Sequence, residues 1–394
     1  MKIKGIKARK ILNSKGEITI EVDVDGFRAS IGNGTSVGKF EVVALPSDLD
    51  KLVELVNHKL NKELGGLSIN SFDDLDKIER AVKTIDASSN FKEIGGNVLV
   101  NLELALLKAA SENNVWKFLD PKVKKMPIPI GNIIGGGKHS GANCPDIQEF
   151  LLIPKTKDIF EAVFVNAKFH ELIKEDIIKR DKNFNFGRNI EGAWCPNLNN
   201  YEVLDMLNKF RERIEKEFKI KINLGIDLAA SGLWNGRKYQ YRNYSRFRQK
   251  RVLSREDQIG FVKKLIANYD LKYVEDPLQE EDIEGFKELK GDCLIVGDDL
   301  IATNLDRIRL AQEAINGVII KPNQIGSLLK AKAVVDFAKS KKMKVIVSHR
   351  SGETEDNVLA HLAVGWEADY IKTGIVGGER TSKLNELLRI SENI

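Results

Sequence analysis

Apolar and polar positions alternate near the start of the chain, with Ile18, Ile20, Val22 and Val24 set against Thr19, Glu21 and Asp23. A period of two is that of a strand with one buried face. Asn13-Ser14-Lys15-Gly16 before it and Asp25-Gly26 after it are turn chemistry, so residues 3–31 predict a β-meander. The period then lengthens. Leu52, Leu55, Val56 and Leu60 predict a helix over 48–61, and Leu75, Ile78, Val82 and Ile85 one over 72–85 with Ser71 as N-cap. Residues 97–112 are apolar enough for a buried helix. A sheet followed by helices predicts a compact α+β domain over 1–125, ending in the polar stretch DPKVKKMP.

From residue 126 the pattern changes. PIPIGNII and IQEFLLIP predict two strands, with GGGKHSGANCPD between them. Helical patterns follow at 157–180 and 199–217, separated by the loop FNFGRNIEGAWCPNL. After 220 strand-like runs recur at NLGI, KYV, CLIVG, VIIK, VIVS and YIKT, each leading to a helical segment. The polar residues at their ends are Asp227, Glu275, Asp298, Lys321, His349 and Lys372, separated by 48, 23, 23, 28 and 23 positions. A strand, a helix and two short loops take about 23 residues, and the 48 is one unit carrying an insertion. This beat predicts a parallel (β/α)8-type barrel over 126–394, with functional groups at the C-terminal strand ends. An open doubly wound sheet has similar spacing, but its groups cluster at one switch point rather than on successive strands.

Three of these end residues are acids. Carboxylates converging on one point repel unless a cation sits among them, and an all-oxygen set suits Mg²⁺. The plainer reading makes each acid a helix cap, as Asp276 or Asp299 would be. Lys321, His349, Arg350 and Lys372 supply cations, a combination suited to a small, highly anionic substrate. Lys321 leaves a buried β-branched run just before Pro322. Desolvation and the charge of Lys372 are expected to lower its pKa towards that of a base. Glu149 and Glu191, in polar or glycine-rich surroundings, are candidates for a general acid. The loop GNGTSVG at 32–38 offers Asn33, Thr35 and Ser36 as small polar ligands.

Composition narrows the class. The chain has 394 residues, 42% hydrophobic and 30% charged, with net charge +5 spread over both signs, which does not indicate nucleic-acid binding by itself. Cys144, Cys195 and Cys293 form an odd, irregular set that argues against a disulfide framework and fits a reducing, cytoplasmic setting. The start MKIKGIKARK is too polar for a signal peptide, and no apolar run approaches a membrane span. The insertion WNGRKYQYRNYSRFRQKRV at 234–252 interleaves basic and aromatic residues as an RNA-binding surface would. A solvated excursion or subunit contact is the plainer reading.

The motifs VEDP, VGDDL, IKPNQIGSL, SHRSGETED, IKTG and KLNELLRI, in this order, resemble the barrel of the enolase family, and ARKILNSKGEITIEVDV and IQEFLLIP match its other parts. The resemblance spans nearly the whole chain. It implies a cytosolic, homodimeric, Mg²⁺-dependent lyase interconverting 2-phospho-D-glycerate and phosphoenolpyruvate. Lys321 would remove the C2 proton. Glu191 would protonate the departing C3 hydroxyl, assisted by Glu149. Asp227, Glu275 and Asp298 would hold one Mg²⁺, and Ser36 would help to hold a second. Lys372 would bind the substrate carboxylate, and Arg350 and Ser351 its phosphate. His139 and His349 would line a site closed by loops 32–38 and 135–145. The departures fall on one side: NIEGAWCPNL stands where the family usually has GDEGGFAPNL, and GNGTSV where it has PSGAST. The alternatives are an enolase-like enzyme acting on a related phospho- or phosphono-carboxylate, and a non-catalytic RNA-binding paralogue.

Overall fold

The computed structural model describes residues 1–35, 38–141, 143–244 and 249–394. The meander forms as β1 (Ile6–Leu12), β2 (Ile18–Val24) and β3 (Phe27–Ala29), all antiparallel in the order β1-β2-β3. The simple alternation does not hold in β2. Thr19 and Glu21 are buried while Ile18 is half exposed. The central strand is covered on both faces, on one by the helix Gly96–Ser111, whose Asn101 donates to the Ile20 carbonyl at 2.8 Å. The open edge of β1 is covered as well, since Asn57 and Asn61 accept from the Ala8 and Ile6 amides at 2.6 and 2.8 Å.

The rest of the chain supplies β4 (Ile128–Gly135), β5 (Glu149–Pro154), β6 (Ile222–Asp227), β7 (Tyr239–Tyr241), β8 (Arg251–Leu253), β9 (Tyr273–Glu275), β10 (Leu294–Gly297), β11 (Gly317–Ile320), β12 (Lys344–Ser348) and β13 (Tyr370–Lys372). Eight of them close a barrel in the order β4-β5-β6-β9-β10-β11-β12-β13. The strands after residue 220 that belong to the barrel pair in parallel, as their beat predicts. β5 runs antiparallel to both β4 and β6. A parallel return needs a crossover, and among its described residues the β4–β5 connection has no helix beyond the short turn Gly137–His139.

Ile130, Leu151, Ile153, Tyr273, Val296, Ile319 and Ile346 form a separate cluster that fills the barrel interior. Side chains two positions apart on a strand share a face. Glu149, Glu275, Asp298, Lys321 and Ser348 each lie two positions from one of these residues, and Lys372 two from Tyr370, which packs against them, and this places them at the barrel mouth. The cross-strand register sets Glu149 beside Asp227, Asp227 beside Glu275, and Ser348 beside Lys372.

The basic insertion forms the β7–β8 hairpin. Tyr239 and Tyr241 are buried, and the Tyr241 hydroxyl donates to Gln258 at 2.8 Å, so these rings are core rather than stacking surface. Arg246 and Arg248 lie outside the described residues. Among the described residues no helix is long and apolar enough to cross a membrane.

Candidate active site

The barrel mouth encloses a cavity of about 50 Å³, lined by Glu149, Glu191, Asp227, Asp298, Lys321 and Lys372 among others, with His139, His349, Arg350 and Ser351 also on its wall. Eleven of the twelve residues singled out from the sequence are thereby placed at or beside one point. Glu275 lies just beneath, against Lys372, and Ser36, the twelfth, lies outside the described residues.

The Lys372 ammonium sits 2.9 Å from Glu149, 3.0 Å from Asp227 and 2.9 Å from Glu275. Burial pushes Lys372 down, but Asp227, Glu149 and Glu275 together hold it well above its ordinary pKa. Lys321 is ion-paired to Asp298. Burial pushes Lys321 down too, yet Asp298 and Glu275 together hold the lysine above its ordinary value. Lys372 does lower Lys321 as expected, and so does Arg350, but the expected net depression is corrected, because the carboxylates around Lys321 outweigh burial and both cations.

The acids outnumber their partners. Burial and Asp227 push Glu275 up to about 8, and burial and Asp298 push Asp299 up to about 7. Glu275 Oε1 is buried with no hydrogen-bond partner, while Oε2 accepts from the Tyr273 hydroxyl at 2.6 Å. An excess of carboxylate oxygens, one of them orphaned, is a donor set that fits a hard divalent cation. Asp227, Glu275 and Asp298 do not gather by themselves. Among the described residues, the groups whose ligand atoms come within 4.8 Å of one another are Asp276 with Asp298 and Asp299, and His139 with Glu149 and Glu191. Asp276 is already committed, its two oxygens accepting the Asp298 and Asp299 amides at 3.0 and 2.7 Å. It clamps the turn that presents Asp298 and acts as a positioning residue.

Across the mouth Glu191 accepts from Asn132 at 3.2 Å and lies 3.4 Å from the His139 ring. Ligand atoms of His139, Glu149 and Glu191 lie within 4.8 Å of one another. Burial holds Glu149 well above the usual carboxyl range. Burial also works on Glu191, but His139 and His349 together outweigh it and hold Glu191 well below that range. His349 is kept neutral by burial and by Arg380. Arg380 can only donate, so its 2.7 Å contact makes His349 Nδ1 the acceptor and leaves the ring proton on Nε2.

The described first part of the glycine-rich loop, residues 32–35, is docked on the rim. Asn33 and Gly352 exchange two backbone hydrogen bonds at 2.7 and 2.9 Å, and the Thr35 and Ser351 hydroxyls meet at 2.7 Å. Arg350 donates to Asn323 at 3.1 Å and to Glu41 at 2.9 Å. Glu41, Asp276, Asp299 and Arg380 were not read as site residues. Asp276 and Asp299 do sit in the acid pairs Glu275-Asp276 and Asp298-Asp299, the signal that could have marked them. Arg380 opens the last helix, Gly378–Ser391, and carries no local signal.

The description "Enolase, C-terminal TIM barrel domain" matches residues 123–394, and "Enolase, N-terminal domain" matches residues 3–119. The chain is 43% identical to the enolase of Methanothermobacter thermautotrophicus, with 100% of this chain and 97% of that one covered. It is 41% identical to the enolases of Methanosphaera stadtmanae and Pyrobaculum aerophilum, again over 100% of this chain and 97% of each relative. With both halves matched and the strand-end chemistry assembled in one barrel mouth, the chain belongs to the enolase family.

Proposed function

We infer that the protein catalyses the reversible dehydration of 2-phospho-D-glycerate to phosphoenolpyruvate. What supports this reading is that a lysine, Lys321, and two buried acids, Glu149 and Glu191, line the same cavity at the barrel mouth. Removing a proton from one face and delivering one to a leaving hydroxyl on the other is the work of such an arrangement.

Asp227, Glu275 and Asp298 would hold Mg²⁺, which supplies positive charge where a second negative charge develops on the substrate carboxylate. With Asp298 committed to a cation, its hold on Lys321 would weaken, and Lys321 would move towards the neutral form a base needs. Lys372 faces the same carboxylate charge. Arg350 and Ser351 bind the phosphate, and their present partners Glu41 and Thr35 give way or join the contact. Glu191 delivers a proton to the C3 hydroxyl, assisted by Glu149 beside it, whose carboxyl burial holds well above the usual range. The neutral His349, with its proton on Nε2, donates into the site. A second Mg²⁺ with Ser36 as a ligand, and a homodimer, belong to the same proposal.

The test follows phosphoenolpyruvate absorbance with purified protein, 2-phosphoglycerate and Mg²⁺. Turnover is expected, with Lys321→Ala lowering kcat on the order of 10²–10⁴-fold at unchanged Tm. No turnover by folded protein, or turnover indifferent to Lys321→Ala, overturns the reading. Glu191→Gln activity equal to that of the parent removes the acid assignment alone.

A further inference from the structure

We propose that Thr303 and Gln324 are positioning residues for Asp298: with the Lys321 backbone they form a clamp that sets the plane of the Asp298 carboxylate and keeps one of its oxygens for a divalent cation. Gln324 Nε2 donates to Asp298 Oδ1 at 3.0 Å. The Thr303 hydroxyl donates to Gln324 Oε1 at 2.8 Å and accepts from the Lys321 amide at 2.9 Å. Lys321 closes the ring, since its ammonium is ion-paired to Asp298 Oδ2. The sense of every link is fixed. A carboxylate only accepts, so Gln324 turns its amide nitrogen to Asp298 and its oxygen to Thr303, and the Thr303 proton then has one place to go. Thr303 and Gln324 are both buried, so a link lost here is not made good by bulk water.

The backbone is bent to place these groups. Ala302 and Thr303 stand in succession at φ of 44° and 49°, in the left-handed region that a β-branched residue rarely enters. Such strain persists where the surrounding structure over-determines it, and it clusters at functional sites. Here the bend follows Asp298 directly. The Asp298 carbonyl accepts from the Ile301 and Ala302 amides at 3.1 and 2.8 Å, and the Asp298 amide donates to Asp276 at 3.0 Å. The turn thereby brings the Thr303 hydroxyl to the Lys321 amide, 18 positions further along the chain. Asp276 and the turn hold the backbone of Asp298, and Gln324 holds its side chain.

The clamp decides what Asp298 offers. With Oδ1 held by Gln324 and the carboxylate plane fixed, Oδ2 is the oxygen that Lys321 pairs with and the one left for a cation. Without the clamp the carboxylate turns about its Cβ–Cγ bond, and the Lys321 ammonium, with three donors, draws both oxygens to itself. Asp298 then gives less to a cation. Partners that orient a ligating side chain are worth about 10–100-fold in metal affinity. The inference rests on the proposed Mg²⁺ site at Asp227, Glu275 and Asp298, and not on the identity of the substrate.

The test is calorimetric titration of the substrate-free full chain with Mg²⁺, beside thermal unfolding and turnover of 2-phosphoglycerate at graded Mg²⁺. Thr303→Val keeps the side-chain shape and removes the hydroxyl, and Gln324→Met keeps the length and removes the amide. Each is expected to raise the Mg²⁺ Kd roughly 10–100-fold, and the Mg²⁺ needed for half-maximal turnover in step with it. Thr303→Ser restores the hydroxyl and is expected to bring Kd back to within about threefold of the parent. Lys108→Met, which removes an ion pair at the domain contact, should lower stability and leave Kd unchanged. Parent-like Kd in both Thr303→Val and Gln324→Met overturns the proposal. An equal loss of affinity in Thr303→Ser or in Lys108→Met also overturns it, since packing or global stability then explains the effect. A parent that binds no Mg²⁺ overturns it as well. Mg²⁺ binding that responds to these changes in a protein without turnover sustains the clamp and counts against the proposed reaction alone.

Discussion

Buried lysines occur in two regions of this molecule, and their company differs. Where the N-terminal sheet and the helix Gly96–Ser111 meet the barrel, Lys108 donates to the Arg28 carbonyl and to both oxygens of Asp356, each at 2.8 Å. Asp356 accepts in addition from the Ser30 and Val358 amides at 3.0 and 2.8 Å. Lys383 likewise has one carbonyl, Thr354 at 2.6 Å, and one acid, Glu353 at 3.0 Å. These charges are matched one to one, and backbone groups complete their hydrogen bonding. At the barrel mouth Lys372 faces three carboxylates, Lys321 has one, and Asp276 and Asp299 stand behind them with their pKa values pushed up. The first arrangement is complete as it stands. The second is short of positive charge, a deficit that the proposed Mg²⁺ would meet and that a purely structural ion pair does not leave.

Neutralising one charge in each region separates the two sharply. Glu275→Gln is expected to lower turnover on the order of 10²–10⁴-fold while the Tm of the cation-free protein holds or rises, since it removes a repelled carboxylate. Lys108→Met is expected to do the reverse, costing about 3–5 kcal/mol in urea unfolding by stranding Asp356, with the turnover of the folded fraction unchanged. Similar stability losses from both changes would break the distinction.

The deficit also has a proton signature. Glu275, with its pKa pushed up to about 8, holds a proton for much of the time at pH 7.5. Binding Mg²⁺ favours the charged form, so protons are released. Calorimetry of Mg²⁺ binding in buffers of different ionisation enthalpy should show that release, and Glu275→Gln should reduce it.

At the domain contact the pH dependence runs in two directions. Burial and Glu79 hold Glu103 well above the usual carboxyl range, and Glu103 also accepts from the Leu328 amide at 2.7 Å. A raised folded-state pKa means stability that is full below the unfolded value and is lost as pH rises through the folded one. Burial works on Asp356 too, but Lys108 outweighs it and keeps Asp356 below its ordinary value. Its contribution is present above the unfolded pKa and is lost as pH falls through the folded one. Urea unfolding across pH should show Glu103→Gln flattening the alkaline side and leaving the acid side alone. The smallest expected effect is at a cap far from both regions. Ser254→Ala removes the reciprocal Ser254–Asp257 capping box of the helix Arg255–Tyr269 and should cost about 1 kcal/mol at unchanged turnover.

Most of the barrel was legible because its signals are local. The 23-residue beat, the β-branched run ending in Lys321, and the acids closing β6, β9 and β10 follow from periods of two and 3.6 along the chain. Elements set by neighbours were less legible. The helical pattern over 157–180 is two helices, Ile159–Leu172 and Lys174–Arg180, and the alternation in β2 gave way once both of its faces were covered.

The sequence by itself determined which residue types stand at the strand ends, and therefore that acids and lysines meet at one rim. Only the tertiary structure decided how they pair. The β4–β5 hairpin turns β5 around, so that Glu149 enters the rim from the beginning of a strand. Lys321 meets Asp298 and is held up rather than down, Arg380 reaches His349 from the last helix, and Asn243 bridges the Cys144 and Leu198 carbonyls. Side-chain period is a property of one strand, whereas a pKa depends on every charge and dipole within a few ångströms, and those come from elements far apart in the chain.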